Sequence, residues 1–92
     1  MGFRRMPAAR YAMLRRAVCE RDGRACVLCG GCGAHIHHIV FRSQGGKDTA
    51  DNLVTLCGGC HERAHGVIRS RYTQAQIREM LAAYIKETQR GR

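Results

Sequence analysis

Apolar positions recur at helical spacing near the start of the chain. Tyr11, Leu14 and Val18 fall on one side of a helix, whereas most arginines of this segment lie elsewhere. No glycine or further proline interrupts the segment until Asp22-Gly23, and glycine commonly ends a helix. The pattern predicts an amphipathic, basic helix over about 7–21.

A second helical pattern occupies the end of the chain. Thr73 and Gln76 match a capping box, with Thr73 as the N-cap. The positions that follow at helical spacing form an apolar stripe, which we expect to pack against the core. We predict a helix over about 74–89 with this stripe: Ile77, Leu81, Tyr84 and Ile85, with Met80 alongside.

Between these helices the pattern changes to short strands and turns. Residues 34–40 and 53–56 have the character of two β-strands, and the loop between them is rich in glycine and polar residues. A short helix is expected directly after the second strand. The order of elements predicts an α+β fold in one small domain over 1–92. We place its ββα core at 22–66.

The size of the chain indicates that this fold needs a covalent or metal-based staple. A chain of ninety-two residues buries a core of only marginal stability, and its six cysteines could supply the staple. No apolar run follows the initial Met-Gly-Phe-Arg-Arg-Met, so we expect no secretory signal, a cytoplasmic location and metal rather than disulfides. No stretch is long and apolar enough to span a membrane, so we expect no membrane partner.

Two Cys-x-x-Cys pairs predict the metal site. Twenty-seven residues separate the pairs, and both have the spacing of zinc knuckles. A closed site of four thiolates keeps no open position, so it stabilises the fold and does no chemistry. Cys19 is expected to behave as a small apolar residue, whereas Cys32 lies close enough to compete as a ligand. The predicted ligands of one structural Zn²⁺ are Cys26, Cys29, Cys57 and Cys60.

The charge of the chain favours a nucleic-acid partner. Sixteen Lys+Arg against seven Asp+Glu give a formal net charge of +9, and fourteen of the sixteen are arginines. Arginine suits bidentate contact with phosphate. Charge alone leaves two alternatives open, namely plain solubility and attachment to a ribosome or to a membrane surface.

Four histidines exceed what packing explains. His61 and His65 are four apart, so they share a face of the expected short helix. His37 and His38 are neighbours on a strand and therefore point to opposite sides. Imidazole binds transition metals and also titrates near neutral pH, so it suits both metal ligation and proton transfer.

The pattern of His37-His38, a central Asn52 and His61, between the two cysteine knuckles, resembles the HNH endonuclease family. The tract 51–57 and the Gly45-Gly46 loop add to the likeness. The resemblance implies a ββα-metal finger in which His38 is the general base. It also implies that His37 and His61 bind the catalytic metal and that Asn52 holds the loop. In colicin-type members of the family, the position of His65 supplies a further ligand.

The resemblance further implies a metal-dependent DNA endonuclease that hydrolyses phosphodiester bonds. No element suited to reading sequence is apparent, so low sequence specificity is expected. Imidazole ligands leave the catalytic metal open among Mg²⁺, Mn²⁺, Ni²⁺ and Zn²⁺. The chain resembles small phage- or prophage-encoded members of the family, some of which act with a terminase. Four arginines near the motif are expected to contact phosphate: Arg42, Arg63, Arg69 and Arg71.

Two other interpretations stay open. A non-catalytic zinc-finger module that binds DNA explains the charge and the cysteines but gives the histidines no role. A toxin or mobile-element module fused to other domains is also compatible with the motifs. His35 stands where many family members carry an acidic residue, and it either touches phosphate, contacts the metal weakly or does neither.

Overall fold

The computed structural model describes residues 6–90 and shows one two-stranded antiparallel sheet with three helices. The α+β fold class predicted from the sequence is confirmed. The predicted domain limits include residues 1–5 and 91–92, which lie outside the described residues. The elements in chain order are α1 (Ala8–Arg21), β1 (His35–His38), β2 (Leu53–Leu56), α2 (Gly58–Ala64) and α3 (Gln74–Arg90).

The two strands form a hairpin whose loop contains two short 3₁₀ turns, Arg42–Gln44 and Ala50–Asn52. β1 is shorter than the predicted strand over 34–40, and Asn52 explains the difference. The Ile39 N–H still donates to the Asn52 carbonyl (2.9 Å), but the next donor, Val40 N–H, bonds to the Asn52 side-chain oxygen (2.8 Å). A side chain thus replaces the next backbone partner, and regular pairing ends.

β2 is buried on both faces. α1 packs against β1 and β2, while α2 packs against both strands and against α3. All four residues of β2 are buried, as expected of a strand covered from both sides. The core therefore surrounds this strand, and its main cluster includes Ile39, Val54, Leu56, Ala64, Ile77, Leu81 and Ile85.

Asp22 joins three elements at the end of α1. Its carboxylate accepts hydrogen bonds from Arg21 Nε (2.8 Å), from the Thr55 backbone N–H in β2 (2.8 Å) and from the Tyr84 hydroxyl in α3 (2.7 Å). Burial favours the neutral acid, but the hydrogen bonds from Arg21, Tyr84 and Thr55 outweigh it and lower the pKa of Asp22. The helix ends at Arg21, and Gly23 follows with a φ of 71°, as the glycine stop predicted.

The predicted capping box of α3 is confirmed. The Gln76 N–H donates to Thr73 Oγ1 (3.0 Å), and the Thr73 N–H donates to Gln76 Oε1 (2.9 Å). Ile77, Leu81 and Ile85 of the predicted stripe are buried. No described helix has the length and apolar character needed to cross a lipid bilayer.

Candidate active site

Two clusters of possible metal ligands lie on the ββα segment. In each cluster the ligand atoms are within 4.8 Å of one another. One cluster has four cysteines and the other has three histidines. The members are Cys26, Cys29, Cys57 and Cys60 in the first, and His37, His61 and His65 in the second.

Local backbone geometry brings the four cysteines together. Cys26 begins a tight turn in which the Gly30 N–H donates to the Cys26 carbonyl (2.8 Å), and Gly30 takes a φ of 79° that glycine adopts without strain. The second pair begins α2. Cys57 is its N-cap, and Cys57 Sγ accepts from the Cys60 N–H (3.4 Å). The hairpin places the two turns side by side.

The sulfur positions fit a tetrahedral zinc. Four sulfurs held about 2.3 Å from one ion lie roughly 3.8 Å apart, and Cys29 Sγ and Cys57 Sγ are 3.6 Å apart. That separation is far too long for a disulfide bond. Cys32 is exposed and Cys19 lies on α1, and neither belongs to the cluster. The four predicted cysteines could therefore hold one metal ion without a competing fifth.

The thiols of the cluster have unlike acidities. Burial opposes ionisation of Cys26, but backbone hydrogen bonds at Cys57, Cys29 and Leu28 lower the pKa of its thiol to about 7. Burial and the neighbouring sulfurs raise the pKa of Cys60 to about 12. Four thiolates this close repel one another strongly, and a divalent cation between them removes that cost.

The three histidines of the second cluster come from two elements. His37 is the buried residue of β1, His61 lies in α2, and His65 is the C-cap of α2 with helical backbone angles. Their ring centroids are 4.7–5.2 Å apart. Phe41 stacks on His65 at a centroid distance of 4.6 Å and an interplanar angle of 14°, so the loop after β1 covers one side of the cluster.

His37 has the burial and the unpaired ring nitrogen expected of a metal ligand. Its side chain is buried, with the residue 3% exposed, and its Nδ1 has no hydrogen-bond partner among the described residues. A buried polar atom without a partner is costly, and coordination of a cation removes that cost. Burial, together with the neighbouring His61 and His65, lowers the pKa of His37 to about 3, which keeps its imidazole neutral. Burial and His65 also lower the pKa of His61.

His38 lies outside this cluster and has a partner of its own. Its Nε2 is 2.8 Å from Asp48 Oδ1. Asp48 is only 8% exposed, and Arg42 donates to both of its oxygens, from Nε (3.1 Å) and Nη2 (3.2 Å). Burial favours the neutral acid, but the hydrogen bonds from His38 and Arg42 hold the pKa of Asp48 below its usual value. The carboxylate accepts the Nε2–H of His38, so in the neutral imidazole Nδ1 is the acceptor nitrogen.

Asn52 connects both ends of the hairpin loop. Its side-chain oxygen accepts from the Val40 N–H (2.8 Å), and its Nδ2 donates to the carbonyls of Val40 and Lys47 (both 3.0 Å). Gly46 is buried in the same loop, where an added Cβ would overlap the Val40 carbonyl. These contacts hold the loop that carries Asp48 and Phe41 beside the histidines.

An open cleft of about 520 Å³ gives access to His38 and to two members of the histidine cluster. Its lining includes His38, His61 and His65 together with Arg42 and Tyr11. His35 is exposed, and its ring centroid is 5.0 Å from that of His61, but it is not a member of the histidine cluster.

The four arginines that were expected to contact phosphate do not lie together. Arg42 is in the histidine cleft, where its guanidinium is paired with Asp48. The other three line a separate cleft of about 470 Å³ beside the cysteine cluster, with Tyr72 at its wall. No acidic side chain of the described residues forms an ion pair with these three: Arg63, Arg69 and Arg71.

Two residues near the candidate site were not singled out from the sequence. Asp48 and Phe41 both belong to the hairpin loop, which composition marks only as a loop. The one signal for Asp48 is its rarity, because the chain has only seven acidic residues and few of them lie near a histidine.

These features define a class: a small α+β protein whose four-cysteine cluster fits a zinc-stabilised ββα core, with a histidine site on the same core. Residues 26–66 match the family model described as HNH endonuclease. The resemblance seen in the sequence is thus confirmed, and the match supports a nuclease-type function in general. No curated protein sequence matches the chain at a significant level.

Proposed function

We propose that the protein is a metal-dependent DNA endonuclease that hydrolyses phosphodiester bonds. One observation carries the proposal: His37, His61 and His65 each bring one ring nitrogen within 4.8 Å of the other two, and a fourth imidazole, His38, lines the same cleft as His61 and His65. A structural zinc finger that only binds nucleic acid has no use for a second ligand cluster that opens to solvent.

In the proposed mechanism, His38 is the general base. Its Nε2–H bonds to Asp48, so the unprotonated Nδ1 is the atom that takes a proton from the attacking water. Asn52 holds the loop through the backbone of Val40 and Lys47 and thereby fixes the entrance of the cleft. We expect 5′-phosphate and 3′-hydroxyl ends, in line with the family resemblance.

His37, His61 and His65 are the proposed ligands of the catalytic cation. When bound, a divalent cation supplies positive charge against the phosphate oxygens and the departing 3′ oxygen. His37 is already neutral, so it needs no deprotonation before it binds. An all-imidazole set favours Ni²⁺, Zn²⁺ or Mn²⁺ over Mg²⁺, which prefers oxygen ligands.

DNA is the proposed substrate, because the net charge is +9 and fourteen of the sixteen basic side chains are arginines, which suit contact with phosphate. The proposed phosphate contacts are the three arginines beside the cysteine cluster, because they have no acidic partner among the described residues, whereas Arg42 is paired with Asp48. Low sequence specificity stays part of the proposal, because contacts to phosphate carry no sequence information. A phage terminase as protein partner stays a prediction drawn from the resemblance.

Nicking of supercoiled plasmid tests the proposal. We expect the purified protein, with Mn²⁺ or Ni²⁺ added, to convert supercoiled plasmid to open circles, and His38→Ala to lose this activity while it still binds DNA. Thermal unfolding and gel-shift binding of the variant serve as controls for folding and affinity. If both proteins bind DNA and neither cuts it with any of the metals, the non-catalytic binding module is the correct interpretation.

A further inference from the structure

The contacts of Asp48 extend beyond the general base to the N-terminal helix. Arg42 donates to both Asp48 oxygens, and its Cζ lies 5.1 Å from the ring centroid of Tyr11 in α1. Tyr11 precedes the segment that matches the family model, residues 26–66. A continuous series of contacts therefore joins α1 to His38: an arginine over an aromatic ring, a bidentate ion pair and a charged hydrogen bond.

We propose that Tyr11, Arg42 and Asp48 form a positioning chain that fixes the tautomer and direction of His38. The proposal rests on the proposed function, in which His38 is the base. Asp48 is the central member, because its carboxylate hydrogen-bonds to both His38 and Arg42, and Arg42 and Tyr11 act by holding Asp48.

Three observations carry the proposal. Asp48 is buried, so its charge must be matched by partners, and His38 and Arg42 are those partners. Both carboxylate oxygens are used by Arg42, which prevents the carboxylate from turning away from His38. Asp48 does not belong to the histidine cluster that could hold the metal, so its role is directed at His38.

The positioning chain gives Arg42 a role different from phosphate contact. A phosphate contact acts mainly on affinity, so its loss raises KM and leaves kcat nearly unchanged. A positioning residue acts on the reacting geometry, so its loss lowers kcat and leaves KM nearly unchanged. Steady-state cleavage of plasmid by Arg42→Ala separates these two roles.

The decisive experiment compares Asp48→Ala, Arg42→Ala and His38→Ala in the zinc-loaded full chain. We expect Asp48→Ala to lower kcat by about 10²-fold with KM within about two-fold of wild type, since general base catalysis contributes that order of rate. Arg42→Ala is expected to lower kcat by a smaller factor. The matched control is Asp51→Ala, which removes an equal charge from an exposed position in the same loop and is expected to keep kcat.

Ring ¹⁵N spectra of His38 provide a readout that a merely structural role would not move. In the wild type we expect a single tautomer with Nε2 protonated and Nδ1 unprotonated. In Asp48→Ala we expect a mixture of both tautomers, because the acceptor that selects one of them is gone. If Asp48→Ala does not fold, Arg42→Ala decides the question through its kcat and KM.

The outcomes distinguish this proposal from the proposed function. If His38→Ala keeps the wild-type kcat, His38 is not the base and the proposed mechanism is wrong. If His38→Ala is inactive but Asp48→Ala keeps kcat and the single tautomer, only the positioning chain is refuted. If Arg42→Ala raises only KM, Arg42 is not part of the positioning chain and contacts phosphate, as expected from the sequence.

Discussion

Replacement of Asp22 by asparagine tests how the flanking helices are joined to the ββα core. In the wild type, Oδ1 accepts from Arg21 Nε and the Tyr84 hydroxyl, and Oδ2 accepts from Arg21 Nη2 and the Thr55 N–H. Asparagine has one acceptor oxygen, so its NH₂ faces an Arg21 donor in either orientation. The substitution also leaves the guanidinium, whose side chain is 14% exposed, without its buried counter-charge.

The magnitude follows from these contacts. Each hydrogen bond to a charged group contributes about 1.5–3 kcal/mol, and removal of one partner of a buried ion pair costs about 3–5 kcal/mol. The Arg21 guanidinium still donates to the backbone carbonyls of Ala50 and Leu53. We therefore expect Asp22→Asn to lower the free energy of unfolding by about 3–4 kcal/mol. That is a large part of the stability of a small domain, which is about 5–15 kcal/mol.

Urea denaturation of zinc-saturated protein, followed by circular dichroism, measures this change. Glu20→Gln is the matched control, because Glu20 pairs with Arg24 at 3.8 Å on the surface with side chains 57% and 76% exposed. We expect the control to change stability by less than about 0.5 kcal/mol. A loss below about 1 kcal/mol in Asp22→Asn would refute the reasoning that Asp22 holds the three elements together.

The pH dependence of the same difference follows from the lowered pKa of Asp22. A carboxyl whose pKa is lower in the folded state stabilises the fold above its unfolded value of 3.8, and this contribution is lost as the pH falls through the folded pKa. The difference between wild type and Asp22→Asn should therefore be the same at pH 7 and at pH 5.5. A difference that already disappears between these two values would contradict the assignment.

Three further predictions concern the metal site, the arginine cleft and α3. Cys57→Ser should remove about one equivalent of zinc per chain, measured by elemental analysis, and abolish cooperative unfolding; retention of the zinc would contradict the four-cysteine site. Arg69→Ala combined with Arg71→Ala should reduce the slope of log K against log salt for DNA binding by about 2, and an unchanged slope would place the DNA elsewhere. Thr73→Ala should cost about 1 kcal/mol in urea denaturation, as loss of an N-cap, and no change would mean that α3 does not depend on its capping box.

Local signals explain what the sequence could predict. The capping box at Thr73, the glycine stop after Asp22 and the cysteine pairs are all encoded within a few residues. The structure shows the first two and brings the four cysteines together. The spacing of His61 and His65 likewise places both on one side of α2 by helical geometry alone.

Contacts between distant residues explain what the sequence could not predict. Asp48 is ten residues from His38, and Tyr84 is sixty-two residues from Asp22, so no local pattern connects either pair. The early end of β1 depends on the Asn52 side chain, which takes the place of a backbone partner. The arginines separate into two clefts because the fold places three of them beside Cys29 and Cys60 and places Arg42 beside the histidines. The sequence gives no local signal for this separation.

The rate of plasmid cleavage as a function of added Mn²⁺ or Ni²⁺, measured for zinc-loaded wild type and His61→Ala, tests the central claim most directly. His61 contributes to the histidine cluster but not to the cysteine cluster. We predict saturable activation of the wild type by the added metal and almost no activation of His61→Ala, with the zinc content of both proteins unchanged. Equal activation of both proteins would contradict a catalytic cation held by His37, His61 and His65.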